Sequence, residues 1–162
     1  DKAIATNGTV KLIADATGAG AVINGSVTID FAGHTYSFNE GVGSTGTPSN
    51  GLQILKGNTV VLKNGTLNVA ADAADKFYIL VQNYANLRVE DMTLDGTNLD
   101  KWSKVETDQD SYVLSNNCGT VDVIASTIIA NNDGEKAFAL DACKKDSYEA
   151  PTVNVAEGVT VK

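Results

Sequence analysis

One pattern constrains this chain more than any other: an apolar-x-apolar triplet, usually behind Thr, Asn or Ser, that recurs six times. It stands in TVKL (Val10, Leu12), SVTI (Val27, Ile29), TVVL (Val60, Leu62), NLRV (Leu87, Val89), TVDV (Val121, Val123) and TVNV (Val153, Val155). The first apolar positions are separated by 17, 33, 27, 34 and 32 residues, by subtraction of their numbers. The unevenness falls in polar segments such as residues 40–51 and 97–110, so loops vary while the triplet is kept. Self-similarity at a period of roughly 20 to 50 residues marks a stacked repeat architecture.

The later copies have company on both sides. Before the triplet stand LQIL, YILV, YVLS and FALD in turn, and after it GTLNV, MTLDG, STIIA and GVTV. Each is a short strand of period two. Three such strands per repeat, with turns between them, describe one coil of a parallel β-helix whose equivalent residues stack about 4.8 Å apart. Two prolines in 162 residues, many Val, Thr, Ile, Asn and Gly, and no run of Ala, Leu, Glu and Lys at helical spacing agree with strands and turns. A β-sandwich also has many short strands, but nothing in it requires the same three-strand order in coil after coil.

The opening AIATNGTVKLIAD resembles the entry segment of pectate-lyase-like right-handed β-helix proteins, where a capping helix leads through a Gly-rich turn into a first strand of the form T-V-x-L. VTIDFAGHTYSF followed by GLQILKGNTVVLKNGTLNV is similar to repeats of large bacterial surface proteins and phage virion proteins with that fold. The resemblance covers nearly the whole chain. It implies an all-β fold, a right-handed parallel β-helix (solenoid) of about six coils with a short N-terminal capping segment, of which DKAIA is what remains. We expect one β-helix domain over residues 1–162, as a module or processed piece of a larger chain or a subunit whose ends meet neighbours.

Charge narrows the partners. The formal charge is −8, and of the 12 basic residues only Arg88 is an arginine. Proteins that bind a phosphate backbone concentrate Lys and Arg on one face, so no nucleic-acid partner is expected. No apolar run approaches the roughly 20 residues of a spanning helix, so no membrane insertion is expected either.

Aligned coils assign most charged residues to the wall. Asp30, Lys63 and Glu90 each follow the second apolar residue of a triplet, so they form one outward column of alternating sign, and Arg88 faces Asp122 of the next coil. Such cross-strand pairs stabilise by about 0.2 to 1 kcal/mol each, which favours a salt ladder over a catalytic acid at Asp30 or a catalytic base at Arg88. The single histidine, His34, lands at a corner near Gly65 of the next coil, without the Cys or His partners a zinc site needs. Asn7, Asn24 and Asn64 each begin an Asn-Gly-Ser/Thr sequon and are assigned to turns.

Cys118 and Cys143 align within one residue of each other on adjacent coils. A disulfide there would close about 25 residues and contribute on the order of 3 kcal/mol, and would point to an extracellular setting; two buried free thiols are the alternative.

Ligand-binding candidates sit where the repeat is interrupted, because loops on a rigid scaffold commonly carry binding. The segment 97–110 holds the only tryptophan, Trp102, with Asp100, Glu106, Asp108 and Asp110; the segment 144–151 holds Tyr148. An exposed Trp beside polar acceptors stacks on sugar rings. Calcium is the weaker candidate, since no EF-hand loop with its Gly and terminal Glu is present, and a solvated acidic loop explains the same residues. We expect no cofactor and no metal site.

Enzymatic activity is not expected. The Asn-Thr-Asp, Asp-Asp, Gly-His-Gly and Arg-Ile-Lys motifs of the hydrolases that the resemblance brings to mind are missing, and AGHT matches only the middle pair of one. Asp91 and Asp95 come nearest to the close facing carboxylates of a glycosidase, yet EDMTLDG puts them on opposite sides of one corner and strand, and no Gly-x-Ser-x-Gly elbow occurs. The leading expectation is a non-catalytic structural or interaction module on a virion or bacterial cell surface, acting in decoration, adhesion or spacing. Its partners would be neighbouring subunits, including copies of itself, or surface glycans. The alternative is a carbohydrate-binding or carbohydrate-cleaving β-helix that uses the Trp102 loop.

Overall fold

The computed structural model describes residues 8–43, 49–100, 102–103, 109–131, 137–145 and 147–162. The expected capping segment lies outside them. Among the described residues every regular element is a strand, and the strands form the three walls of a parallel β-solenoid.

The first wall holds β1 (Gly8–Lys11), β4 (Val27–Asp30), the first halves of β7 (Thr59–Val69) and β9 (Asn86–Asp95), β12 (Thr120–Ile124) and β15 (Thr152–Val155). The second holds β2 (Ala16–Ala19), β5 (Thr35–Glu40), the second halves of β7 and β9, β13 (Thr127–Ile129) and β16 (Thr160–Val161). The third holds β3 (Ala21–Ile23), β6 (Asn50–Ile54), β8 (Ile79–Asn83), β11 (Gln109–Asn116) and β14 (Ala137–Ala142). A short β10 (Trp102–Ser103) runs antiparallel to the start of β11.

About four turns are present, against the six coils expected. Each triplet does supply a first-wall strand, but full-length three-walled turns begin only at β4, β7, β9 and β12. The first segment has walls of three or four residues, and the last stops after β16. A second correction concerns register. Val10 pairs with Ile29, and Gly8 with Val27, so the first triplet is slipped by two residues relative to the others. A two-residue slip keeps every side chain on its own face, so Val10 still points inward while Lys11 moves opposite Asp30.

The core is made of columns. Val27, Val60, Leu87, Val121 and Val153 stand in register along the first wall, with Ile29, Leu62, Val89, Val123 and Val155 as a second column. Tyr36, Leu67, Leu94 and Ile128 do the same in the second wall. The middle members are sealed from solvent, and each such side chain contributes about 1.5 to 3 kcal/mol of burial. On the outer face of the second wall, Thr35, Thr66, Thr93, Thr127 and Thr160 form one continuous column of β-branched residues suited to a pleated surface.

Corners are set by backbone conformation. Ala32, Asn64, Asp91 and Ala125 all have φ between 48° and 60°, and each sits where the first wall turns into the second in successive turns. One left-handed residue per turn makes the bend, even though two of the four are alanines that bear a steric cost of about 1 kcal/mol for it. The third wall bends differently: its ladder skips Gly51, Leu80, Val113 and Ala139, and two consecutive side chains, such as Leu80 and Val81 or Val113 and Leu114, are buried together. Gly51 breaks the apolar series because a Cβ there would lie 2.6 Å from the Phe38 ring, which fills that space itself.

The third wall meets the first at a buried amide ladder. Asn83 Nδ2 donates to Asn116 Oδ1 at 2.9 Å and to the Ala85 carbonyl at 2.8 Å, while Asn83 Oδ1 accepts from Ala85 N at 3.2 Å. Asn116 Nδ2 continues to the Gly119 and Thr152 carbonyls. The ladder thereby supplies partners to backbone groups that leave the sheets at this corner.

Candidate functional site

The outward column of the first wall is as the alignment places it, extended by one member: Lys11, Asp30, Lys63 and Glu90 stand in register with alternating sign. Lys63 Nζ lies 3.8 Å from Asp30 Oδ2. Asp30 Oδ1 also accepts from Asn64 Nδ2 at 3.0 Å and from Ala32 N at 2.9 Å, and these hydrogen bonds, with Lys63 and Lys11 nearby, hold its carboxyl below the usual range. Arg88 faces Asp122 in register, yet its Nε donates to Glu90 Oε2 at 2.9 Å, two residues on along the same face. That bond lowers the Glu90 pKa and raises that of Arg88. These polar atoms are used on one another.

His34 occupies the expected corner. Its carbonyl accepts from Thr66 N, and it lies 2.5 Å from where a Gly65 Cβ would be. Its Nδ1 is 3.3 Å from Asp15 Oδ1, which also accepts from Thr35 N at 2.9 Å. Asp15 escapes sequence reasoning because the slipped first turn hides which residue lies beside Thr35.

The Trp102 segment is anchored to the third wall, where β10 places Trp102 opposite Asp110. Asp108 and Glu106 lie outside the described residues. Asp110 Oδ2 accepts the Tyr112 hydroxyl at 3.0 Å. Burial, this hydrogen bond and the nearby charges of Asp110, Asp141 and Cys143 push the Tyr112 phenol up to about 12 from 10.0. Because the folded value exceeds the unfolded one, the protonated phenol stabilises the fold fully below pH 10, and the contribution is lost between about pH 10 and 12. Burial also raises the Tyr36 phenol, so absorbance titration of tyrosinate is expected to show late titration from two of the five tyrosines, and Tyr112→Phe to remove the one near pH 12; an unchanged amplitude there in the variant refutes the assignment.

Tyr148 is separate from this group. It packs edge-on against Tyr84 at 5.9 Å, and the Lys56 ammonium lies 5.0 Å from its ring centroid. Backbone bonds tie its loop to Asn117, past the end of β11, whereas Asp110 stands at the start of that strand. Seven strand residues put them roughly 20 Å apart, too far for one small-ligand site.

Of the expected Cys118–Cys143 pair, the structure leaves both thiols unbonded, Cys118 buried and Cys143 exposed. Asn116 pairs with Ala142, so Cys143 stacks on Asn117 and is offset by one residue from Cys118. The two side chains are left in different environments, one inside the wall and one outside. Ellman's reagent is expected to label one thiol in the native protein and two after denaturation. No native label at all would mean that the pair is oxidised.

Asp100 leads to a concave site that the linear motif did not reveal. Its Oδ2 accepts from Phe77 N at 2.9 Å while its own N–H donates to the Phe77 carbonyl at 2.6 Å. This double tie draws residues 96–100 against residues 70–76 of the preceding turn, and a cleft of about 350 Å³ opens between them. Its lining is formed by Val69, Ala70, Ala71, Ala73, Ala74, Asp75, Lys76, Asn98 and Asp100. Both corners are braced: Asp75 Oδ2 accepts from Gly41 N, Asn98 Nδ2 donates to the Val69 carbonyl, and Leu99 is buried. Among the described residues no three His, Cys, Asp or Glu side chains are grouped to hold a metal ion.

Comparison of the chain with protein-family models, with curated proteins and with solved structures returns no match.

Proposed function

We propose that this chain is a non-catalytic structural or interaction module, displayed on a virion or bacterial cell surface, whose solenoid presents its irregular corners to partners. The observation that supports this most is where chemistry-bearing side chains spend their polar atoms: Asp30, Lys63, Arg88, Glu90, Asn83 and Asn116 are all engaged in holding one turn to the next or in bracing their own strand. The long irregular segments fall at the corners, which suits a rigid frame with exchangeable loops.

Labelling of intact source particles or cells with a membrane-impermeant amine reagent, followed by mass spectrometry, tests the location. Modification of exposed lysines such as Lys56 and Lys144 is expected without lysis; modification only after lysis would remove the surface assignment. A carbohydrate-binding role is the second reading, favoured by the polar cleft at Asp100.

A further inference from the structure

We infer that the cleft between residues 70–76 and 96–100 binds one neutral sugar unit of a glycan. The inference rests on the interaction-module reading and gives it a ligand class.

The lining matches the chemistry of a pyranose, which has a C–H face and a rim of hydroxyls that both donate and accept. The exposed Ala71 and Ala74 offer apolar surface without bulk, and Asp75, Asp100, Asn98 and Lys76 share the lining with them. Ionised carboxylates only accept, an ammonium only donates, and an amide does both, so hydroxyls in either sense find partners. Each carboxylate has one oxygen fixed by a backbone N–H, at Gly41 and Phe77, and among the described residues the other carries no hydrogen bond. Lys76 makes no ion pair among them either. The two free carboxylate oxygens are therefore held in place before a ligand arrives, which lowers the ordering cost of binding.

Other ligand classes fit less well. A phosphate or uronate would meet two carboxylates against one lysine, and like charges at short range repel. A divalent ion finds no third acidic ligand among the described residues. A purely apolar molecule would desolvate four polar side chains without replacing their hydrogen bonds. The volume lies at the small end of ligand sites, which limits the occupant to about one ring.

The test is a titration of the isotopically labelled full chain with methyl glycosides of glucose, galactose, mannose and N-acetylglucosamine, and with glucuronate as the charged probe, followed by amide NMR shifts. Saturable shifts confined to residues 69–76 and 96–100 are expected with at least one neutral glycoside. Loss of one charge-assisted contact in Asp75→Ala is expected to weaken binding about tenfold, with glucuronate weaker by a similar factor. Lys76→Ala, which breaks no ion pair among the described residues, is expected to weaken binding with an unchanged spectrum elsewhere, so the test stands even if Asp75→Ala disturbs its loop. No saturable shift with any neutral probe, shifts elsewhere on the solenoid, glucuronate binding as tightly, or an unaltered response in both variants would overturn the inference. None of these outcomes bears on surface labelling, so the module reading is judged separately.

Discussion

Asn83→Ala is expected to destabilise the fold by about 3 kcal/mol, because truncation strands buried partners and does not merely delete a bond. Asn83 is fully buried. Without its amide, Ala85 N loses the acceptor at 3.2 Å and Asn116 Oδ1 loses the donor at 2.9 Å, and each buried group left unpaired costs about 1 to 3 kcal/mol. For a chain of this length that corresponds to a fall in Tm of roughly 10 °C, read by circular dichroism melts. Asn116→Ala should behave alike. The double variant should fall short of the sum by more than 0.5 kcal/mol or so, since the two side chains bond to each other. A loss below about 1 kcal/mol for Asn83→Ala would mean that the ladder is incidental.

The second large effect is expected at Gly65→Ala, again about 3 kcal/mol. Gly65 does not have the positive φ of the corner residue Asn64 before it, so its requirement is one of space. An added Cβ would lie 2.4 Å from Phe31 Cβ and 2.5 Å from the His34 carbonyl oxygen, both rigid parts of the preceding turn. Relief requires the turns to separate, and overpacking of this kind typically costs 1 to 3 kcal/mol or more. His34→Ala, by contrast, removes only a partly exposed contact to Asp15 and should cost about 0.5 kcal/mol or less. Urea melts of the two variants distinguish a corner that needs the glycine from one that needs the histidine; the reverse order of effects would give His34 a structural role we do not assign.

The repeat was legible because stacking forces it. Residues in one column share an environment, so Val60, Leu87 and Val121 must all be apolar, and Asp30, Lys63 and Glu90 must tolerate one another at strand spacing. The flanking strands were legible for the same reason: YILV and GTLNV became β8 and the second half of β7. Where the pattern offers two registers with the same face inward, it says nothing. TVKL fits against VTID either in line or slipped by two, and the slipped form is adopted. The count of turns was overstated on similar grounds, since a triplet announces one strand and not the other two.

The candidate site was legible only in part. Asp100 was singled out as one acid in a polar loop, but nothing near it in sequence names Asp75 or Lys76, more than 20 residues away. They meet because each corner follows a strand of the same wall. Tyr148 and Trp102 are both candidates because each lies where the repeat is interrupted, and the fold puts the two at opposite ends of the third wall.

Sequence alone thus determined the architecture of this protein: period-two strands repeated in a constant order have one economical way to bury their apolar columns, in a parallel stack. Only the tertiary structure decided the register of the first turn, the amide ladder behind Asn83 and the cleft between two corners. Those depend on contacts across 19 to 36 residues, at positions where several side chains satisfy the local pattern equally well and packing against the adjacent turn selects among them.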